Sequence, residues 1–334
     1  MNRKILVTGG AGFIGSHFVR KALKEGAEVV NLDLLTYAGG LDTIEDVINH
    51  PKHKFIKGDI RDQNTVEPLI AEVDYVVHFA AETHVDRSIL EGGKFVLTDV
   101  FGTYVLLEAA RKIEKIKKFV HISTDEVYGP IEKGSFKEDS PMNPSSPYSA
   151  SKAGADRLAF SFFRTYRLPV TIVRPSNNFG PYQHPEKAIP LFITNLIEGK
   201  KIPLYGKGEN SREWIYVEDC VEGIWTVLQK GTPGEAYNLS SGFELKNIEL
   251  VKRILQKMGV PESMIEFVKD RPGHDLRYSI DSSKLRALGW KPLHDFDRAL
   301  ELTISWYRKN TEWWKRRKES EEFVKYYSKN YERR

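Results

Sequence analysis

Two adjacent carboxylates follow an apolar segment near the middle of the chain. Asp125 and Glu126 stand just after the apolar residues 119–122, and Tyr148 and Lys152 follow with a spacing of four. A simple dehydrogenase needs one proton acceptor beside its nicotinamide, whereas an additional acid and a second base can move more protons than an oxidation requires. The combination indicates an oxidation coupled to an elimination. The alternative is that the Asp-Glu pair forms an exposed turn or a helix cap.

Tyr148 and Lys152 lie at the start of a helix predicted over about 149–167, where residues four apart share one face. A phenol has a reference pKa of about 10, which is too high for a base at neutral pH. We expect the Lys152 cation and an oxidised nicotinamide to lower it. The same spacing arises often by chance, so its place behind a dinucleotide motif and after the fifth predicted strand is what favours a catalytic pair.

A glycine-rich motif near the N-terminus points to that dinucleotide. Gly9, Gly12 and Gly15 stand between a predicted strand and a helix predicted over about 13–23. Glycines permit a tight turn and a close approach of the backbone to a pyrophosphate at the helix N-terminus. Asp33 ends the second predicted strand, where its carboxylate would accept bonds from both ribose hydroxyls and repel a 2′-phosphate. NAD is therefore favoured over NADP. The alternative for the whole motif is a glycine turn that binds no ligand.

Short apolar runs alternate with amphipathic stretches through the first half of the chain. This rhythm predicts an α/β fold of the Rossmann type, with a doubly wound parallel sheet and a smaller mixed α/β C-terminal lobe that binds substrate. We expect the NAD-binding domain over 1–180, rejoined by about 217–242. The substrate lobe would comprise 181–216 and 243–314, and a basic helical tail would span 315–334.

The bulk properties exclude several classes of protein. The net charge of +4 lies in residues 315–334, which hold eight basic and four acidic residues. Residues 1–314 are therefore formally neutral, and their composition does not indicate a basic surface that would bind nucleic acid. No apolar run is long enough to predict a membrane span. The single cysteine, Cys220, excludes an internal disulfide and fits a cytoplasmic location. No His and Cys cluster has the spacing of a metal site.

The motifs together resemble the extended short-chain dehydrogenase/reductase family and, within it, the sugar-nucleotide 4,6-dehydratases that act on dTDP-glucose. The resemblance covers about Lys4 to Trp314. It depends on six segments, at 33–39, 78–88, 123–129, 176–182, 212–219 and 270–275. Two positions depart from the family pattern, since Asp99 stands where Asn is expected and Phe79 where Leu is common.

The resemblance implies a role for each catalytic residue. Tyr148 would take the proton of the sugar 4-hydroxyl while a hydride passes from C4 to NAD, and Thr124 would hydrogen-bond the 4-oxygen. Glu126 would then remove the acidified C5 proton while Asp125 protonates the departing 6-hydroxyl. The hydride returns to C6, so NAD is regenerated, and Lys152 would also hold the nicotinamide ribose. Two close carboxylates resist double ionisation, but the sequence does not show which of their pKa values rises.

The resemblance and the residue chemistry also give two larger sets of expected contacts. The expected NAD contacts are Gly9, Gly12, Phe13, Ile14, Gly15, Asp33, Leu34, Thr36, Asp59, Ile60, Ala80, Ala81, Thr83, Asp99, Ser123, Tyr148, Lys152 and Asn178. The expected contacts to the sugar nucleotide are His84, Thr124, Asn177, Lys187, Ala188, Pro203, Tyr205, Arg212, Asn247, Arg271 and His274. Arg212 and Arg271 suit the diphosphate because a guanidinium pairs well with phosphate oxygens. Asp59 and Ile60 would hold the adenine, or Asp59 would cap the next helix.

The predicted product is dTDP-4-keto-6-deoxyglucose, an intermediate in the biosynthesis of deoxysugars such as rhamnose. A sugar-nucleotide 4-epimerase, a dehydratase acting on UDP-glucose and a non-enzymatic dinucleotide sensor or RNA-binding protein remain alternatives. Apolar residues on more than one side of the predicted helices 96–111 and 149–167 indicate a homodimer. The aromatic basic tail, with its interspersed glutamates, is typical of an exposed helix rather than of a membrane or nucleic-acid contact.

Overall fold

The computed structural model describes residues 3–270 and 273–332. The strands, in chain order, are β1 (Lys4–Thr8), β2 (Glu28–Asp33), β3 (His53–Lys57), β4 (Tyr75–His78), β5 (Lys118–Ile122), β6 (Val170–Pro175), β7 (Asn177–Phe179), β8 (Ile202–Tyr205), β9 (Ser211–Tyr216), β10 (Ala236–Leu239), β11 (Glu244–Lys246) and β12 (Ile265–Val268). The helices are α1 (Phe13–Lys24), α2 (Gln63–Glu72), α3 (Val85–Phe95), α4 (Thr103–Ile113), α5 (Pro147–Tyr166), α6 (Ala188–Ile197), α7 (Val217–Lys230), α8 (Asn247–Met258), α9 (Ser283–Ala287), α10 (Phe296–Lys309), α11 (Thr311–Lys318) and α12 (Glu321–Tyr327). Turns of 3-10 helix occur at Leu41–Thr43, Asp125–Tyr128 and Glu262–Met264, and π-helical turns at Val96–Gly102 and Ser328–Glu332.

Seven strands form one parallel sheet in the order β10-β6-β5-β4-β1-β2-β3. Every residue of β5 and β6 is buried, because helices cover both faces of the sheet. Helices α1 and α7 pack their apolar residues on one face, and α2, α4 and α5 pack theirs on the other. The α/β Rossmann-type class predicted from the alternation of elements is confirmed.

A smaller set of elements lies beyond the carboxyl ends of the large sheet. Strands β11, β9 and β7 form a three-stranded sheet, and β12 pairs with β8. Helices α6, α8 and α10 supply the core of this lobe. The chain then returns to the large sheet, where β10 pairs with β6 and Ala236 lies opposite Ile172.

Two local predictions differ from the structure. The helix predicted over 96–111 is longer and interrupted, since it consists of α3, a π-helical turn at Val96–Gly102, and α4. The prolines between positions 175 and 203 predict mainly loops and short elements, whereas the structure forms helix α6 there. Pro190 falls in its first turn, where a backbone N–H has no partner inside the helix, so the proline costs little.

The C-terminal tail is helical but not exposed as predicted. Trp313 and Trp314 of α11 and Phe323 and Tyr326 of α12 are buried. Trp313, Trp314 and Phe323 join the core of the smaller lobe, because burying an aromatic ring removes a large apolar surface from water. Lys315, Arg316 and Lys325 are exposed, whereas the side chains of Arg317 and Lys318 are largely buried and pair with Asp42 and Glu198.

None of the helices in the described part of the chain combines the length and apolar composition that a membrane span requires. Over the same residues, no cluster of three or more His, Cys, Asp or Glu side chains could hold a metal ion.

A buried ion pair fastens the helix that carries the Tyr-x-x-x-Lys motif. Arg174 of β6 donates to both carboxylate oxygens of Asp156 on α5, at 2.8 and 3.0 Å, and both side chains are excluded from solvent. A buried charge without its partner is costly. This pair therefore fixes α5 against the sheet.

We predict that Asp156→Ala lowers the free energy of unfolding by about 3–5 kcal/mol, because it leaves the Arg174 guanidinium buried and unpaired. Urea unfolding followed by circular dichroism measures the loss. Arg157 also contacts Asp156 but is half exposed, so Arg157→Ala should cost no more than about 1 kcal/mol. Equal losses in the two variants would contradict the assignment.

Candidate active site

A cavity of about 460 Å³ runs along the carboxyl ends of the large sheet and into the smaller lobe. Its wall includes the segments that follow β1, β2, β4, β5 and β6. Parallel strands present all their carboxyl ends at one edge, which is where ligands bind in such folds. The predicted site residues therefore meet in one place although they are far apart in sequence.

The glycine motif forms a tight turn at one end of this cavity. Gly9 has a φ of +72°, and a Cβ there would lie 2.6 Å from the Ala80 backbone nitrogen. A Cβ at Gly15 would lie 2.2 Å from the Gly9 carbonyl oxygen, so neither position accepts a side chain. Gly12 caps α1 without a side-chain bond, and the first turn of α1 contains no acidic residue. The turn fits a pyrophosphate, which helix N-terminal N–H groups bind.

Asp33 lies at the edge of the same part of the cavity. One carboxylate oxygen accepts a bond from the Ala11 N–H at 2.9 Å, and the other accepts from the Leu35 N–H at 2.8 Å. Burial raises its pKa, and the two backbone bonds oppose that shift. The carboxylate is held in place by the backbone, as recognition of a ribose requires.

Asp59 does not cap the following helix. Asp62 fills that role, because its side chain accepts from the Asn64 N–H, whereas Asp59 pairs with Arg61 at 2.5 Å. Asp59 also lines the cavity. The other predicted NAD contacts that line it are Phe13, Ile14, Leu34, Thr36, Ile60, Ala80, Ala81, Thr83, Ser123 and Asn178.

Asp99 is the predicted NAD contact that does not line the cavity. It lies one layer behind, where its carboxylate accepts from the Glu82 N–H at 2.8 Å and from the Ser151 hydroxyl at 2.6 Å. Its exposed fraction is 1%, and burial raises its pKa to about 6. Asp99 therefore supports the cavity wall and the start of α5 rather than the ligand.

The candidate catalytic residues converge after β5. Thr124 caps the 3-10 turn Asp125–Tyr128 by accepting from the Glu126 N–H at 3.3 Å, and it hydrogen-bonds Tyr148. On α5, Lys152 reaches back to donate to the Ile122 carbonyl at 2.7 Å. The three contacts place an acid, a base, a phenol and an ammonium group at one point of the cavity.

The structure separates the two adjacent carboxylates by burial. Asp125 is only 3% exposed and Glu126 is partly exposed. Burial, the charge of Glu126 and the charge of Glu213 together raise the pKa of Asp125 well above its usual range. Asp125 is therefore the member of the pair whose surroundings favour the protonated form, which the sequence left open.

The expected lowering of the Tyr148 pKa depends on Lys152 and an oxidised nicotinamide, and only the first belongs to the protein. Burial raises the pKa of the Tyr148 phenol well above the usual value, and the charges of Glu126 and Asp99 add to the shift. Burial also lowers the pKa of Lys152, against the influence of Asp99 and Asp156. In the protein alone Lys152 does not outweigh these effects, so the phenol needs a further positive charge in the cavity before it can act as a base.

The predicted substrate contacts lie in the other half of the cavity. Lys187 donates to the Thr83 hydroxyl at 3.1 Å, and Tyr205 donates to Asp86 at 3.2 Å. Arg212 donates to backbone carbonyls, including that of Asp275 at 3.0 Å. The others that line the cavity are His84, Asn177, Ala188, Pro203, Asn247 and His274. Arg271 lies outside the described residues.

Several residues that line the cavity were not predicted from the sequence, among them Glu186, Tyr278 and Tyr331. Glu186 is fully buried and pairs with Arg87 at 2.8 Å, and its place beside Lys187 could have indicated it. Tyr278 lines the cavity next to Arg212, whose guanidinium lies 4.4 Å from the centre of its ring. Tyr331 belongs to the tail, and no sequence pattern links it to the site.

Comparisons with known proteins agree on one family. Residues 6–303 match the family described as GDP-mannose 4,6 dehydratase. The dTDP-glucose 4,6-dehydratase of Streptomyces niveus is 48% identical over 326 residues, which are 96% of this chain and 97% of that protein. A Haloferax volcanii protein named low-salt glycan biosynthesis protein Agl12 is 53% identical over 91% of this chain and 98% of its own length.

Solved structures give the same result. The dTDP-glucose 4,6-dehydratase of Streptomyces venezuelae, determined with NAD bound, superposes with a TM-score of 0.92 at 49% identity, over 94% of this chain and 99% of that one. The UDP-glucose 4-epimerase of Thermotoga maritima superposes with a TM-score of 0.86 at 30% identity, over 92% and 99% of the two chains.

We predict that Asp99→Asn stabilises the protein at high pH. An aspartate that titrates at about 6 in the fold and near 4 when unfolded opposes folding above pH 6, and that cost disappears below pH 4. Asn has no charge, keeps an acceptor oxygen for the Glu82 N–H, and can donate its amide N–H to the Ser151 hydroxyl, which still donates to the Tyr148 carbonyl. The gain should be up to about 3 kcal/mol at pH 8 and about half of that at pH 5. Urea unfolding at the two pH values measures it, and a pH-independent difference would refute the interpretation.

Proposed function

The chain belongs to the GDP-mannose 4,6-dehydratase family, and from that premise we propose that it is an NAD-dependent dTDP-glucose 4,6-dehydratase. The reaction removes water from dTDP-glucose and gives dTDP-4-keto-6-deoxyglucose. The relatives supply the substrate class, and the glycine turn with Asp33 supplies a site of the right chemistry for NAD.

One observation carries the proposal, namely the unequal burial of Asp125 and Glu126 beside Tyr148. An elimination of water needs a group that can give a proton and another that can take one at the same pH. Asp125 meets the first need because its pKa is raised. Glu126 meets the second because it is the more solvated carboxylate of the pair.

Each residue then has a defined part in the reaction. When bound, NAD supplies the hydride acceptor for C4 and the hydride donor for C6, and its positive ring supplies the charge that the Tyr148 phenol lacks. Tyr148 takes the proton of the 4-hydroxyl, and Thr124 holds the 4-oxygen. Glu126 removes the C5 proton while Asp125 gives its proton to the 6-hydroxyl, which leaves as water. A proton returned to C5 completes the product.

The rest of the sugar nucleotide extends from the catalytic residues into the smaller lobe. Arg212 and Lys187 are the cations that line this part of the cavity, and both suit the diphosphate. Burial lowers the pKa of Lys187, and the charges of Glu186 and Glu126 oppose that shift. Anionic substrate would further favour the charged lysine.

A sugar-nucleotide 4-epimerase is the second candidate, because enzymes of that activity share the fold. An epimerase needs the tyrosine and NAD, but it needs no acid that protonates a leaving hydroxyl. The buried Asp125, whose surroundings favour its protonated form, has no use in that reaction, so it favours the dehydratase.

Turnover of dTDP-glucose in deuterated water tests the function. The dehydratase reaction gives a 4-keto-6-deoxy sugar with deuterium at C5, which NMR and mass spectrometry detect. We predict that Glu126→Gln lowers kcat about 10²–10⁴-fold, because the amide cannot accept the C5 proton. Glu67→Gln makes the same change on α2, outside the cavity, and should leave kcat unchanged, and thermal unfolding of both variants controls for loss of stability. An unlabelled 4-epimer as the product would exclude a dehydratase.

We also propose a homodimer that forms through the helices beside the site. Val96, Leu97 and Phe101 of the π-helical turn are 55%, 52% and 46% exposed, and Tyr104 of α4 is 43% exposed. Exposed apolar side chains that adjoin along one helical face are typical of a partner surface. A second copy of this chain is the expected partner.

We predict that the wild-type protein sediments as a dimer at micromolar concentration and that Leu97→Glu with Phe101→Glu converts it to a monomer. The two new charges would be buried unpaired in the interface, which disfavours association. Leu293 is 70% exposed and lies far along the chain, so Leu293→Glu serves as the control and should remain dimeric. A wild-type protein that sediments only as a monomer would exclude the dimer.

A further inference from the structure

The tail, defined here as residues 311–332, contacts the segment that follows β2 and then the smaller lobe, and it reaches the cavity at Tyr331. Arg317 pairs with Asp42, near the end of β2, at 2.7 and 2.9 Å. Lys318 pairs with Glu198 of the smaller lobe at 2.7 Å. Farther along, Glu322 pairs with Arg87 at 2.6 Å. The tail is thus tied to both sides of the cleft before it reaches the cavity.

The end of the tail joins a cluster of phenols around one carboxylate. Tyr326 donates to Asp86 at 3.3 Å and contacts the His84 imidazole at 3.2 Å. Tyr205 donates to the same carboxylate at 3.2 Å. The ring of Tyr331 stacks on that of Tyr205 at 5.3 Å with an interplanar angle of 24°, and its hydroxyl hydrogen-bonds both other tyrosines. Tyr331 is the member of the tail that lines the cavity.

The position of Tyr331 relative to the reacting groups identifies what it would contact. The sugar must lie at Tyr148, since its 4-hydroxyl loses a proton there. The diphosphate is matched by the Arg212 cation. The nucleoside therefore extends toward β8, where Tyr205 and Tyr331 form an aromatic part of the wall.

We propose that Tyr331 packs against the nucleoside of the substrate and contributes to its affinity, and that the tail holds it there. The inference rests on the proposed function, because the sugar-nucleotide substrate sets the direction along the cavity. An aromatic face is a general surface for packing a base. The packing of the tail itself depends on Trp313, Trp314 and Phe323, which are buried upstream, so Tyr331 is not needed to anchor it.

The test compares Tyr331→Ala with Tyr331→Phe. Loss of the ring should raise KM for dTDP-glucose and the Kd for dTDP by about tenfold, with kcat within about twofold of wild type. Tyr331→Phe keeps the ring, so its Kd for dTDP should change by less than about threefold. The Kd for NAD, measured by calorimetry, should be unchanged in both. Val324 is an exposed residue of the same helical segment, so Val324→Ala should match wild type in every measurement.

Unchanged KM and dTDP affinity in Tyr331→Ala would overturn the proposal, as would a parallel loss of NAD affinity, which indicates a purely structural role. Should Tyr331→Ala lack a thermal unfolding transition, Tyr331→Leu retains apolar volume and carries the same expected loss of dTDP affinity. Binding of dTDP is measured without turnover. A wild-type protein that binds dTDP but does not convert dTDP-glucose would therefore refute the proposed reaction. The Tyr331 contact would still be tested by the Kd for dTDP of Tyr331→Ala compared with that of the wild type.

Discussion

The seven strands of the large sheet run in one direction, and that shared polarity determines where the functional residues can meet. Each strand ends at the same edge, so the glycine turn after β1, Asp33 at the end of β2 and the Thr124–Glu126 segment after β5 are neighbours. Reversing a single strand would remove its terminal residues from the cavity. The buried Arg174–Asp156 pair preserves this arrangement, because it fixes α5, which carries Tyr148 and Lys152, against β6.

Burial has opposite consequences for the acidic groups of the site. For Asp125 it is useful, since a carboxylic acid with a raised pKa keeps the proton that a leaving hydroxyl requires. For Tyr148 it is a handicap, since a phenol with a raised pKa is a poor base. The same low-polarity environment strengthens the influence of any cation that enters. A cation near Tyr148, such as the ring of the oxidised cofactor, would therefore favour proton transfer from the substrate.

The sequence predicted most of the sheet and the candidate catalytic residues that line the cavity, because their signals are local. A strand that is buried on both faces is a continuous apolar run, and the glycine motif and the Asp-Glu pair are contiguous. The ionisation order of Asp125 and Glu126 was not predictable, since it depends on burial by distant segments, including Glu213 of β9. Tyr331 was not predictable either, because its place in the cavity results from tertiary packing of the tail. Asp99 was assigned to the ligand although it lies behind the wall, since sequence spacing does not report depth.

The pairing of β10 with β6 also bears on how the chain folds. The strands β7, β8 and β9 of the smaller lobe lie between them in the sequence, so the edge of the large sheet closes only after that intervening chain has been brought into a compact form. Such non-local pairing loses loop entropy before it gains contact energy, which slows folding. The two lobes therefore acquire their native structure as one cooperative unit. A proteolytic cut between β7 and β9 would separate two parts of a single sheet, not two domains.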